Sequence, residues 1–433
     1  MANIIVLGAG LGGTAAAYEI RAALGKEHTV TLVGDGPRFN FTPSNPWLAL
    51  GSRKREDIGF AIAEPMANHD IRFVEVPAGN VLAAESRVQL RDGRMLDYDY
   101  LVIATGPRLA FDEVPGLGPD GHTQSICTAE HAQRAWEAYQ AFLAAPGPVV
   151  VGAAAGASCF GPAYEFALLL DSDLRKRKLR DRVPITYVTP EPYIGHMGLG
   201  GVGDSKGLLE RELRQREIKW ITSAKVLGAE AGKLRLQEVD ARGAPAGESE
   251  LPFAYAMLLP AFTGVDAVRG IEGLTNPRGF ILIDEHQRNP RFRNIFAAGV
   301  CVAIPPVEAT PVPTGAPKTG FMIESMVTAI AHNLRDEIAG RQADARATWN
   351  AVCLADMGDT GAAFVALPQI PPRNVTWARE GKWVHLAKLA FEKYYLHKIR
   401  TGNTEPVYEK YVLKLLGIER LKPPVKPSQG DLP

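Results

Sequence analysis

The 433-residue sequence has few cysteines, no excess of charge of either sign and no long apolar run. Its 48 Lys and Arg balance 48 Asp and Glu, so it lacks the basic field by which proteins gather nucleic acid. No apolar stretch reaches the roughly 18 residues that a transmembrane helix requires. No basic segment precedes Ile4 to Leu7 and glycines follow at once, so a cleaved secretory signal is not expected. The four cysteines, Cys127, Cys159, Cys301 and Cys353, lie far apart and never form Cys-x-x-Cys, which argues against a zinc, iron-sulfur or other metal site. What remains is a chain too long for one ordinary core, and two or three domains are expected.

The first domain opens with a strand over 3–7, the turn Gly8-Ala9-Gly10-Leu11-Gly12-Gly13, an Ala-rich helix over 14–24 and a second strand over 29–33. Gly8, Gly10 and Gly13 fill the pattern Gly-x-Gly-x-x-Gly between a strand and a helix, the context in which it binds a dinucleotide. Gly34 occupies the usual place of the ribose-binding acid and Asp35 follows it, so Asp35 is either a ribose ligand or a solvated turn acid. Tyr100 to Ile103 with Ala104-Thr105-Gly106-Pro107 resembles the strand and turn by which flavoproteins with two dinucleotide-binding domains leave their FAD domain. Asn294 to Gly299 resembles the strand by which they return. Thr105, Gly106 and Gly299 are the corresponding cofactor contacts. Val300 stands where such proteins usually carry Asp for the ribityl chain, which leaves that contact to backbone amides or other groups.

Prolines at 305, 306, 311, 313 and 317 then forbid a helix or central strand. The helix expected over 318–339 begins at Lys318. That lysine is either a charge beside a reduced flavin or a surface lysine at a helix start.

A second glycine turn, in Pro148 to Glu165, is altered. Val149 to Val151 reads as a buried parallel strand and Gly152 opens the turn, but the second and third glycines of the pattern are Ala154 and Ala157. Only a missing Cβ lets a backbone approach a pyrophosphate, so this nicotinamide site is compromised. The turn delivers a thiol, Cys159, and reads as a nucleotide site reshaped for redox cysteine chemistry. A helix over 163–175, a strand over 184–188 and a β-rich part over 225–259 complete the middle domain. The basic run Arg175 to Lys178 is the solvated end of that helix.

Residues 377–400 interleave Trp383, Val384, Leu386, Leu389, Phe391, Tyr394, Tyr395 and Ile399 with Lys382, Lys388, Lys393, Lys398 and Arg400, and 408–416 repeat the pattern. Such basic amphipathic helices either lie in a membrane interface without spanning it or pack on the body of the protein.

The chain resembles the sulfide:quinone oxidoreductases, most closely the bacterial type with three active-site cysteines. The resemblance rests on Gln124 to Thr128, Ala157 to Glu165, Tyr193 to His196, Pro311 to Gly320 and Trp349 to Cys353, and covers essentially the whole chain. It implies an α/β fold of the disulfide-reductase-like flavoproteins, with two Rossmann-like domains plus C-terminal amphipathic helices. The implied division is 1–108 and 290–350 for FAD, 109–289 for a second domain with a degenerate NAD site, and 351–433 for quinone and membrane. FAD is the implied cofactor, held covalently or not.

By the same resemblance Cys159 and Cys353 are the redox pair, bridged by sulfur at rest, and Cys127 assists sulfur transfer. Hydrosulfide attacks the bridge, electrons pass through FAD to quinone, and repeated turns lengthen a polysulfide. His131 and His196 match family histidines and either move protons or are structural. Glu165 is either a nearby base or an acid paired within its helix. Cys301 matches no redox cysteine and reads as a small core residue. Phe391 and Tyr408 fall where the family places quinone. Attachment to the bacterial inner membrane is implied, on either face, and a homo-oligomer is compatible. The rivals are a type II NADH:quinone oxidoreductase, the flavin subunit of a sulfide-oxidising flavocytochrome, and a non-enzymatic flavin-binding or sulfur-carrier protein.

Overall fold

Five short strands form one parallel sheet in the order Ile295–Ala297, Tyr100–Ile103, Asn3–Leu7, Thr29–Val33 and Arg72–Val74. In the computed structural model, which describes residues 1–404 and 417–423, this sheet is buried on both faces. Ile4, Val6, Leu32 and Val102 pack with side chains of the helices Leu11–Ala23 and Gly320–Ile338. Ile5, Leu7 and Leu101 face the antiparallel layer Ala78–Leu82, Arg87–Leu90 and Met95–Asp97. Burial on both sides is why these strands are near-continuous apolar runs.

The second parallel sheet runs Ile218–Ile221, Ile185–Val188, Val149–Ala153 and Tyr255–Leu259. A three-stranded antiparallel layer, Ala224–Glu230, Lys233–Val239 and Pro245–Pro252, packs against one of its faces. Both expected Rossmann-like sheets are thus present, each with a helix after its glycine turn. The helices expected at 14–24, 163–175 and 318–339 run Leu11–Ala23, Gly161–Lys176 and Gly320–Ile338. Pro162 sits in the first turn of the second, where its missing N–H leaves no hydrogen bond unmade.

The C-terminal pattern needs correction. Residues 377–380 are not helical. Val375–Glu380 is the edge strand of a three-stranded antiparallel sheet with Gly361–Leu367 and Ala351–Asp356, and the helix runs Lys382–Thr401. The middle strand of this sheet is buried throughout. The Ala351–Asp356 strand packs against both the Gly161–Lys176 helix and the Lys382–Thr401 helix. That packing carries position 353 toward the turn at 159. The expected second stretch, 408–416, including Tyr408, lies outside the described residues. No helix among the described residues is long and apolar enough to cross a membrane.

Candidate active site

Gly8, Gly10, Gly13, Asp35, Thr105, Gly106 and Gly299 gather at the C-terminal ends of the first sheet's strands. Gly8 adopts φ +104°, and a Cβ there would stand 2.3 Å from the Ala104 carbonyl oxygen. At Gly13 a Cβ would stand 1.7 Å from the Gly8 carbonyl oxygen, so the helix can approach the strand only without one. Gly10 meets nothing within 4 Å, and no side chain caps the helix that follows it. First-turn amides facing open space are the cradle a dinucleotide pyrophosphate fits. Asp35 is exposed one residue beyond Gly34, so both of its readings stand. Thr105 leads into Gly106, which is open around a positive φ, and Gly299 backs onto Ile323.

Lys318 precedes the Gly320–Ile338 helix, with its Nζ 5.3 Å from the centre of the Phe280 ring. Burial pushes its ammonium down to about 8, opposed by Cys301 and Cys159. A largely enclosed cation beside a helix N-terminus fits a ring system that becomes negative on reduction. The residues present therefore fit FAD.

The second glycine turn is closed by the protein itself. The Gly156 amide donates to the Pro313 carbonyl at 2.7 Å, the Gly315 amide to the Ala157 carbonyl at 2.9 Å, and the Ala154 amide to the Leu259 carbonyl at 2.8 Å. Of the turn's amides, that of Gly156 is engaged by the proline-rich segment, that of Ala154 extends the pairing with the neighbouring strand, and the Ala157 carbonyl takes the Gly315 amide. The acid beyond the next strand, Glu191, is equally committed: its carboxylate accepts from Tyr164 Oη, Thr189 Oγ1 and the Met197 amide.

Cys159 follows this turn, Cys127 precedes the Ala129–Ala144 helix and Cys353 lies within the Ala351–Asp356 strand. All three cysteines are free and of intermediate exposure, with their thiols turned into the protein. A charge on Cys159 would raise both Cys127 and Cys353, which places Cys159 near each of them. Burial pushes Cys127 and Cys353 up to about 12 and Cys159 up to about 11. The opposing influences differ. Ser125 hydrogen-bonds Cys127, the Lys388 charge acts on Cys353, and Cys159 receives both the Lys318 charge and the Gly161 amide. A cation combined with a helix N-terminal amide makes Cys159 the best placed of the three to carry a thiolate. Cys301 is buried at the end of the first sheet, its Sγ 3.3 Å from the Ile103 carbonyl and 3.2 Å from that of Ala298.

Glu165 pairs with neither its own helix nor a thiol. Its carboxylate meets Lys388 Nζ of the C-terminal helix, and burial pushes it up to about 7 against that pull. Lys388 Nζ also lies 5.0 Å over the Trp47 ring. Trp47 Nε1 donates to Asp356 at 2.8 Å, and the same carboxylate bonds His385 Nδ1 at 2.8 Å. Sequence reasoning missed this buried network, because Lys388 reads as one more basic residue on an amphipathic helix.

His131 lies edge-on to Phe111 at 5.7 Å, its Nδ1 lacks a hydrogen-bond partner, and burial pushes its pKa down. His196 is fully buried. Its Nδ1 accepts from the Gly198 amide at 3.1 Å, so Nε2 carries the hydrogen given to Glu308 at 2.8 Å. Neither histidine hydrogen-bonds a cysteine among the described residues.

The Lys382–Thr401 helix buries charged residues beside Val384, Tyr395 and Ile399 and exposes apolar ones. Lys388, Glu392 and Lys398 point inward and pair with Glu165, Arg53 and Glu324. Trp383, Leu386 and Phe391 point outward, 50%, 63% and 39% exposed. Phe391 lies 5.9 Å from Phe41 and 5.7 Å from Tyr395, at the edge of an aromatic group reaching the first domain.

Residues 2–332 match the family described as pyridine nucleotide-disulphide oxidoreductase. The sulfide-quinone reductase of Aquifex aeolicus (strain VF5) is 42% identical over 415 residues, 95% of this chain and 94% of that protein. The X-ray structure of the sulfide:quinone oxidoreductase from that bacterium superposes with TM-score 0.93 at 41% identity, covering 98% of this chain and 97% of the other. NDH2 of Plasmodium falciparum, solved in complex with NADH, gives TM-score 0.71 at 14% identity over 96% and 98% of the two chains, a likeness of fold alone.

Proposed function

We infer, for a chain that belongs to the sulfide:quinone oxidoreductases of the pyridine nucleotide-disulphide oxidoreductase family, that hydrosulfide is oxidised at Cys159 and Cys353 and that the electrons leave to quinone. The reaction is sulfide oxidation coupled to quinone reduction. The observation that carries the site assignment is Cys159, near two other thiols and under the Lys318 charge and the Gly161 amide, beside a turn whose Gly156 amide the protein engages itself. We read 1–108 and 290–350 as the FAD part, 109–289 as the thiol-bearing part and 351–433 as the quinone and membrane part.

Hydrosulfide attacks one sulfur of a Cys159–Cys353 bridge, breaking the bond into a persulfide on one cysteine and a thiolate on the other. Rejoining these sulfurs gives a bridge one sulfur longer and releases one proton and two electrons. FAD, when bound, supplies the two-electron acceptor that hands on to quinone. Gly8, Gly10, Gly13, Thr105, Gly106 and Gly299 hold it, and Lys318 with the Gly320 helix start favours its negative reduced form. Cys127 receives or releases the lengthened sulfur chain. Glu165, which burial pushes up to about 7 and Lys388 holds in place, takes a proton at the site. Phe391 lines the quinone entrance, and the outward apolar residues seat the protein on a membrane surface.

The direct test is an anaerobic visible spectrum. Sulfide should bleach the flavin band and a short-chain quinone restore it, with NADH inert. Bleaching by NADH and not by sulfide would overturn the reading of both the cysteines and the closed turn.

Lys318 predicts a pH effect. Its charge is present below pH about 8 and lost above, so sulfide-driven flavin reduction should slow as pH rises through that value. Lys318→Arg, which keeps its charge, should move the fall upward by more than about one unit. Stopped-flow traces that fall at the same pH in both proteins would assign the titration elsewhere.

A further inference from the structure

Three buried hydrogen-bonding atoms near the start of the Gly320–Ile338 helix lack a protein partner among the described residues: Thr319 Oγ1, Gln369 Oε1 and Trp349 Nε1. Hydrogen bonds tie the three residues' segments together. Gln369 Nε2 donates to the Pro317 carbonyl, two residues before Thr319, and the Gln369 amide donates to the Trp349 carbonyl at 2.8 Å. The Trp349 amide in turn approaches Ser325 Oγ of the helix at 3.3 Å. Only an amide nitrogen can serve the Pro317 carbonyl, so the orientation of Gln369 is fixed and its oxygen is the atom left over. Gln369 is fully buried, and Trp349 is held at φ +55°, a conformation bulky residues avoid unless their surroundings impose it.

Leaving buried polar atoms unpaired is costly, so such groups point to a ligand that completes them. Their chemistry is specific: a hydroxyl donor, a carbonyl acceptor and an indole donor. The pyrimidine edge of an isoalloxazine presents the complement, carbonyl, N3–H, carbonyl. A quinone presents carbonyls alone and would leave Gln369 Oε1 unpaired.

We propose that Thr319, Gln369 and Trp349 recognise the pyrimidine edge of the flavin, with Gln369 Oε1 accepting from N3–H and the two donors serving the flanking carbonyls. The proposal rests on the FAD-dependent reading of the site and adds three contacts that set the flavin's potential. The two donors favour the electron-rich reduced ring, and the acceptor fixes its orientation.

The test uses the holoenzyme, and its readouts do not pass through sulfide. Dye-coupled dithionite titration gives the flavin potential, and resonance Raman spectra in H2O and D2O report the N3–H bond. Trp349→Phe and Thr319→Val should each shift the reduction equilibrium toward oxidised flavin by up to about tenfold, about 30 mV for a two-electron couple. Gln369→Leu should change the deuterium-sensitive N3–H band. Two conservative variants guard against loss of fold in any one.

An unchanged potential in Trp349→Phe and Thr319→Val, or an unchanged N3–H band in Gln369→Leu, would overturn the proposal. So would a changed KM for quinone with potential and spectrum intact, which would place the patch on the quinone. Protein purified without flavin would instead defeat the FAD reading. A normal potential with no bleaching by sulfide would defeat the sulfide reading while leaving the pyrimidine contacts standing.

Discussion

Replacing Cys159 or Cys353 with Ser is expected to reduce sulfide-driven quinone reduction by at least about a thousandfold while FAD remains bound. A serine hydroxyl matches the thiol in size but neither forms a bridge nor accepts a sulfane sulfur, and neither cysteine lies among the cradle glycines. Cys127→Ser should be milder, because Cys127 only assists sulfur transfer and lies outside the proposed bridge. Cys301→Ser should be nearly silent, because that thiol is buried against two backbone carbonyls. Steady-state turnover with a short-chain quinone, alongside the flavin-to-protein ratio, checks all four. Near-normal turnover in either Cys159→Ser or Cys353→Ser would remove the cysteine mechanism. A silent Cys127→Ser with an inactive Cys301→Ser would mean that the third thiol is misassigned.

The second large effect concerns attachment. Burying two large apolar side chains is worth together about 3–5 kcal/mol, so Trp383→Ser with Leu386→Ser should weaken membrane partition by roughly 10²- to 10³-fold. Sulfide should still bleach the flavin, and a water-soluble quinone should still reoxidise it. Turnover with quinone embedded in vesicles should fall with the bound fraction. Co-sedimentation with phospholipid vesicles decides the matter, and a wild-type bound fraction in the double variant would show that this face is not the seat. Deleting the chain after Gly381 is a poorer test, because it strips Lys388, Glu392 and Lys398 from Glu165, Arg53 and Glu324. Uncompensated buried charges of that kind cost about 3–5 kcal/mol each.

The parts legible in the sequence are those where one residue type is sterically required. Gly8 and Gly13 stand where a side chain would collide with backbone, so the spacing of the glycines alone reveals the first turn. Ala154 and Ala157 are legible for the same reason, as side chains standing where a nucleotide turn would carry glycine. The strand at 375–380 is hidden because Trp377 and its neighbours also fit the start of an amphipathic helix, and a short edge strand carries little pattern of its own. Lys388 and Glu392 mislead because the pairing that buries them comes from residues more than 200 positions away. Gln369 gives no signal at all, and Trp349 only its place in the segment that ends at Cys353. Their meaning lies in one unmatched atom each, which only the hydrogen bonding of the folded chain exposes.

The bonds from Gly156 to Pro313 and from Gly315 to Ala157 carry a metabolic meaning. If NADH leaves the flavin oxidised, as proposed, the protein is insulated from the cell's pyridine nucleotide pool by its own backbone. On that reading electrons taken from sulfide leave to quinone alone, and a highly reduced quinone pool would not drive them backward onto NAD⁺ at this site. The flux through the enzyme then responds to two concentrations, sulfide on one side and oxidised quinone on the other, whatever the cell is doing with its carbon.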